Sequence, residues 1–405
     1  MSAMSPSERA PGAGPVLAAA RDWAHDRLFD TRGNTVLTLV ILAVLGALVY
    51  TLGRWFILAA DWDVVRANRR LLLVGRFPQG EEWRIWPMVL AGTALIGLSW
   101  GAWSRIGPRS LIALGIIGAL ILPLFTGGSG RPLTALALAL GAVAYVTARR
   151  SRGHARWLRW TRRVVIVGWL VSLPASLLLL VIAGGVETTL WGGLYLNVIV
   201  AFAAAMGALP LGVLLALGRT SSYRALRLAC TIYIELMRGL PLVVMLALAW
   251  LALRAFLPAV WGVDRVDLVY RVIIAFALFT AAFVAEALRG GMSAVPRGQR
   301  EAAAALGLRD TRALVFITLP IAVRNAAPAL AGEMIGLFMS TTLVSVVGLT
   351  DMLQAARATT EQPDFFGRQK EVLLFVGIVF WVSAFALSRL SERVEYALSG
   401  TRRRQ

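Results

Sequence analysis

Cysteine, histidine and lysine are almost absent from this 405-residue chain, which has one Cys, two His and, among 41 basic residues, a single lysine. Cys230 stands alone in an apolar context, so there is no disulfide framework and no thiolate metal cluster. His25 and His154 are far apart, each in a polar, arginine-containing segment, which argues against a zinc or di-metal site. Neither histidine is placed to serve a Ser–His pair, and no paired carboxylates converge, so an integral-membrane enzyme lacks its catalytic set. We therefore assign no catalytic residues and no metal ligands. Lys370 is followed by Glu371, which rules out a Walker A loop, because that loop needs a lysine before Ser or Thr to hold the β- and γ-phosphates. If ATP drives this protein, another polypeptide hydrolyses it.

Apolar residues are what the chain has in abundance, at 58% of the sequence against 16% charged. A bilayer span needs about 20 mostly apolar residues. Such runs fall near 35–58, 86–103, 110–126, 132–148, 163–183, 193–218, 229–255, 269–288, 325–347 and 371–390. The expected fold class is an all-α polytopic membrane protein of about ten transmembrane helices. The third and fourth runs are short and separated by a Gly-Gly-Ser-Gly turn, so they could also form one distorted unit. A formal charge of +19 would suggest nucleic acid in a soluble protein. Here the arginines lie mostly between spans, so orientation explains them and no nucleic-acid partner is expected. With both termini cytoplasmic, the inside carries roughly twice the basic residues of the outside. Residues 1–34 are expected to be a cytoplasmic tail and 396–405 a second, basic one. Trp55, Trp83, Trp86, Trp191 and Trp261 fall near span ends, as an interfacial belt requires.

A Gly/Thr-rich external loop near 184–193 divides the chain. Before it lies an N-terminal membrane region, 35–183, of about five spans with few intramembrane charges. After it, residues 193–395 carry Glu235, Arg238, Glu286 and Glu333 at or near membrane depth. Between two of these later spans runs a polar linker, 289–324, with six arginines. Passive spans need only a short loop, so its length suggests a docking element. Pro296 suits a first helical turn, and 299–306 is rich in helix formers. Gly307 follows where a left-handed helix end is needed, and Asp310 offers a cap for a second short helix. Ala302 to Ala305 leave a surface smooth enough for close approach. The alternative is an amphipathic helix adsorbed on anionic lipid, which Glu301 and the central glycine serve poorly.

Glu301-Ala302-Ala303, Gly307 and Ile317-Thr318-Leu319-Pro320 together match the E-A-A-x3-G-x9-I-x-L-P loop of ABC-importer permeases at each defined position. Tyr233-Ile234-Glu235-Leu236-Met237-Arg238-Gly239-Leu240-Pro241-Leu242 and Ala285-Glu286-Ala287-Leu288-Arg289-Gly290-Gly291 resemble segments of polar amino-acid permeases. The N-terminal half, through Asn34-Thr35-Val36-Leu37-Thr38-Leu39 and the region from Gly75 to Arg84, is similar to the longer permease subunits of bacterial general L-amino-acid importers. The resemblance implies a five-helix type I importer core in the bacterial inner membrane, with Glu301, Ala302, Ala303, Gly307, Leu319 and Pro320 coupling it to ATPases. It also implies a second permease subunit, cytoplasmic ATP-binding subunits that hold ATP and Mg, and a periplasmic solute-binding protein, alongside membrane lipid. No cofactor is expected in this chain itself. Two departures stand out: Met339-Ser340 replaces the family's usual charged pair, and Ile321 stands where it usually has glutamine.

An amino acid crossing the membrane needs an acceptor for its ammonium group and donors for its carboxylate. Glu333, between apolar neighbours, is the leading ammonium acceptor; Ser340, Thr341 and Thr342 could line the same path. The structural alternatives are an ion pair of Glu333 with Arg324 or a partner subunit, and helix packing through the three hydroxyls. Glu235 and Arg238 are three apart and can bridge on one helix face, as can Glu286 and Arg289. A permease for another small polar solute shares each of these features, whereas an ion-coupled secondary transporter leaves the 301–320 pattern unexplained.

Overall fold

The computed structural model describes residues 23, 27–103, 131–181, 185–261 and 266–399. Hydrocarbon offers no partner to a backbone N–H or C=O, so each spanning segment must satisfy its own, and helix is the local solution. No strand occurs among the described residues; there are two isolated bridges, Gly75 with Trp191 and Gly193 with Asp351. Among the described residues, seven helical segments are long and apolar enough to cross a membrane, or eight if one sharply bent pair counts as a span. The predicted run 110–126 lies outside the described residues.

The chain divides into two units at Trp62. In the first, helix α1 (Arg32–Arg54) is capped by Thr31, whose hydroxyl accepts from the Asn34 N–H at 3.2 Å, and continues through a π-turn, Trp55–Ala59. None of its residues is buried and it is apolar all round, as a helix facing lipid should be.

The second unit begins with two short helices, α2 (Asp63–Ala67) and α3 (Arg69–Val74). Then come α4 (Trp86–Trp103), α5 (Arg131–Arg150) and α6 (Ala155–Val181), the last covering the fifth predicted run. Gly97 and Gly101 let α4 lie directly on α5: a Cβ on either would strike the Gly141 carbonyl or the Ala148 methyl. This small-residue contact replaces the hydrophobic drive that lipid does not supply. Helix α6 leans on α4, its Trp169 indole donating to Ser99 Oγ at 3.1 Å.

The remaining helices are α7 (Gly193–Arg219), α8 (Arg224–Gly239), α9 (Leu242–Trp261), α10 (Leu268–Ser293), α11 (Arg297–Ala305), α12 (Asp310–Ala313), α13 (Leu319–Ser340), α14 (Met352–Thr360) and α15 (Gln369–Ser399). Helices α7, α10 and α13 form the centre. Gly212 seats the Val284 side chain, and Gly291 brings α10 onto the Ala322 carbonyl and Ala326 methyl of α13. Phe338 of α13 stacks on Phe380 of α15 at 5.2 Å.

The apolar run 229–255 is not one straight span. It is α8 and α9, bent by 106° at Leu240-Pro241. Pro241 has no N–H for the Met237 carbonyl, and the residue before a proline is pushed to extended backbone, as Leu240 is at φ −85, ψ 137. Likewise 325–347 is helical only to Ser340, and then tightens into a 3-10 segment, Thr341–Val347, ended by left-handed Gly348. Trp191 is no belt residue: it is 1% exposed, its indole donating to the Val186 carbonyl at 3.0 Å.

Candidate functional site: linker, cavity and two polar centres

The linker folds as α11, a turn and α12. Pro296 is the N-cap of α11, one position before the expected first turn. At the other end the Gly307 N–H donates to the Ala304 carbonyl at 2.9 Å, and the Leu308 N–H reaches back to Ala303 at 3.1 Å. That doubled bond pattern is a Schellman ending, and it requires the left-handed φ of 71 that Gly307 supplies. The expected second helix begins at Asp310, as α12, but it does not end before Pro320. Helix α12 runs without a loop into a π-turn, Leu314–Thr318, and then into α13, with Pro320 in its first turn. An α-helix here would direct the Phe316 carbonyl at the missing N–H of Pro320, and the wider turn relieves that conflict. Glu301, Ala302, Ala304 and Ala305 are exposed, but Ala303 is turned inward and buried, so the alanine surface is narrower than four residues. Two exposed apolar side chains enlarge it instead: Leu306 at 80% and Phe316 at 74%. Neither stands out in sequence, because a leucine and a phenylalanine beside a membrane span look like core.

A cavity of about 150 Å³ opens between α9, α10 and α13. Phe276, Phe279 and Phe283 of α10 and Leu242 and Leu337 form its apolar walls; Thr280, Glu333 and Ser340 supply the polar atoms. Its volume is comparable to cavities that accept a benzene-sized guest. Glu333 is half-buried and has no ion-pair or hydrogen-bond partner among the described residues. Arg324, nine residues back on the same helix, is exposed and does not pair with it. Ser340 joins Glu333 at the cavity, but Thr341 and Thr342 do not. Thr341 is fully buried, donating to the Phe338 carbonyl at 2.6 Å and accepting from Asn197 Nδ2 at 3.0 Å; Thr342 bonds the Met339 carbonyl at 3.0 Å.

Glu235 and Arg238 also sit elsewhere than expected. They do not bridge each other, because residues of α7 and α10 intercept both. Arg219 binds Glu235 at 3.0 Å and Glu286 at 3.2 Å, Arg238 approaches Glu286 at 3.8 Å, and Arg289 grips Glu286 at 2.6 Å. Glu286 thus serves three guanidiniums from three helices. Arg219 was missed in sequence because it reads as the basic end of a span.

The second polar centre is Asn197, fully buried near the start of α7. Besides Thr341 it reaches Asp351 Oδ2 at 3.4 Å, and its Oδ1 accepts from the Met352 N–H at 3.1 Å. Asp351 caps α14, accepting from the Gln354 N–H at 2.9 Å. Burial raises the Asp351 carboxyl above the ordinary aspartate range; the hydrogen bonds from Gln354 and Asn197 oppose that only partly. Around this centre Gly75, Gly192 and Gly193 let three stretches of backbone touch, and a Cβ on Gly193 would meet the Leu72 carbonyl oxygen at 2.6 Å. Gly75 and Gly193 both have positive φ, at 67 and 60.

Residues 208–399 match the family described as binding-protein-dependent transport system inner membrane component. The chain is 31% identical over 442 residues to the glutamate/glutamine/aspartate/asparagine transport system permease protein BztC of Rhodobacter capsulatus, covering 96% of each chain. It is 29% identical to the inner membrane amino-acid ABC transporter permease protein YhdY of Escherichia coli, covering 92% of this chain and 91% of that one. Among solved structures, one described as an amino acid ABC transporter with histidines is 30% identical, with a TM-score of 0.44, over 49% of this chain and 89% of that chain.

Proposed function

Because the chain belongs to the family of binding-protein-dependent transport system inner membrane components, multi-pass permeases of ATP-driven importers, we propose that it carries amino acids through the cavity beside Glu333. Glu333 accepts the substrate ammonium group, Ser340 and Thr280 offer hydroxyls, and the three phenylalanines exclude water. The resemblance of the whole chain to two amino-acid permeases supports the substrate class. In this reading both termini are cytoplasmic, residues 193–395 form the importer core and 35–183 an added membrane region. A second permease completes the pathway, and ATP and Mg are bound by cytoplasmic ATPase subunits, this chain holding no ATPase site of its own. A periplasmic binding protein delivers the solute.

Coupling runs through Glu301, Ala302, Gly307, Leu319 and Pro320, with Ala303 anchoring α11 from within. The observation that carries this is the exposed, Schellman-ended α11, followed after a short turn by α12, which runs without a loop into the helix that bears Glu333. Glu235 and Arg238 enter as members of the charge cluster, Thr341 and Thr342 as helix-end bonds. The test is purification of the complex from its native membrane, wild type beside Gly307→Asp. An aspartate there meets an unfavourable φ and adds charge to the docking surface, so the ATPase subunit should be lost while the second permease stays. Recovery of the ATPase at wild-type stoichiometry with Gly307→Asp would sink the coupling assignment. Glu333→Gln should keep the complex intact and reduce uptake.

A further inference from the structure

From Trp83 to Val186 the sequence contains no Asp or Glu, while arginine occurs eleven times. The densest part is where α6 begins. Arg156, Arg159 and Arg163 follow each other at three and four residues, and so share one face of the helix over about 10 Å of its axis. All three are exposed, and none has an ion-pair partner among the described residues. Their neighbour Arg162 points another way, its guanidinium lying 5.7 Å from the Trp103 ring.

The level of the patch is fixed by the helix itself. Residues 164–181 carry no charge and extend about 27 Å, close to the thickness of a hydrocarbon core, so Arg156 to Arg163 stand at headgroup height. Trp157 and Trp160 are 68% and 61% exposed beside them, where interfacial tryptophans belong. The same face continues into the membrane as Val167, Leu170 and Val171, each exposed. Cations that fork onto phosphate, an aromatic flank and an apolar stripe below them complement one kind of molecule. We propose that the Arg156/Arg159/Arg163 face of α6 binds the headgroup of an anionic phospholipid, whose acyl chains lie along Val167, Leu170 and Val171.

The test uses the intact purified complex, titrated with phosphatidylglycerol or phosphatidylcholine and read by native mass spectrometry. Arg156→Gln/Arg159→Gln/Arg163→Gln should lower phosphatidylglycerol retention on the order of a hundredfold, at about fivefold for each arginine. The matching lysine triple should keep most of it, and Arg402→Gln/Arg403→Gln/Arg404→Gln, which removes equal charge elsewhere, should change little. Should the glutamine triple not assemble, the three single substitutions carry the test. Wild-type retention in the glutamine variants overturns the proposal, as does equal retention of phosphatidylcholine by the wild type. Displacement of the lipid by millimolar inorganic phosphate, or crosslinking of position 160 to an acidic protein in place of lipid, overturns it too.

Discussion

Helix α7 ends in two different kinds of polar chemistry, about 33 Å apart along one axis. At its start, Asn197 and Asp351 are fully buried, held by side-chain and backbone hydrogen bonds in a crossing too tight for any Cβ on Gly193. At its end, Arg219 belongs to a cluster in which one carboxylate, Glu286, is shared by three arginines and remains 23% exposed. Buried hydrogen bonds with fixed geometry permit one arrangement, since losing a partner costs the whole desolvation penalty. Part-exposed ion pairs exchange partners at little cost. One end of α7 is therefore held in a single arrangement, while the other can exchange its partners.

The largest contrast should come from glycines. Gly193→Ala forces a side chain into positive φ and against Leu72, and should destabilise the complex by about 3 kcal/mol or more. Gly290→Ala, an exposed helical position with open space, should be neutral. Equal melting of the two variants in detergent would erase the distinction. Next, Glu286→Gln should cost only about 1 kcal/mol of stability, yet disturb transport-coupled ATP hydrolysis more than folding. A thermal loss matching that of Gly193→Ala would make the cluster a lock like the other end.

The smallest effect sharpens the fixed end. Because burial raises the Asp351 carboxyl, the folded protein binds that proton more tightly than the unfolded chain does. Stability from this group is therefore greatest in acid and falls as pH rises from the ordinary value of 3.8 upward through the folded one. Asp351→Asn should flatten that part of the melting profile, above about pH 3.8. An unchanged slope would mean that the titration belongs to another group.

The legible parts of this molecule were those with a local cause. Gly307 after a helix-forming run announces its left-handed ending, and Glu333 between apolar neighbours announces a polar atom facing a cavity. The break at Leu240-Pro241 was signalled by the proline but hidden by unbroken hydropathy on either side, and hydropathy does not see direction. Pairings across helices were not legible: Glu235 with Arg238 satisfies helix spacing, and Arg219 from 16 residues away takes the carboxylate instead. Asn197 gave no sign of its role, since its partners lie 144 and 154 residues further on.

The contact of Gly291 with Ala322 and Ala326 has a mechanical meaning. It pins α13 between its first turn, where the linker joins, and Glu333. From the middle of that contact the distance is about 8 Å back to Leu319 and about 14 Å forward to Glu333, with Pro328 in the longer arm. A helix tilting on such a pivot is a lever of unequal arms. Under the proposed coupling, a small push at the linker would emerge at Glu333 reversed in direction and nearly doubled in reach.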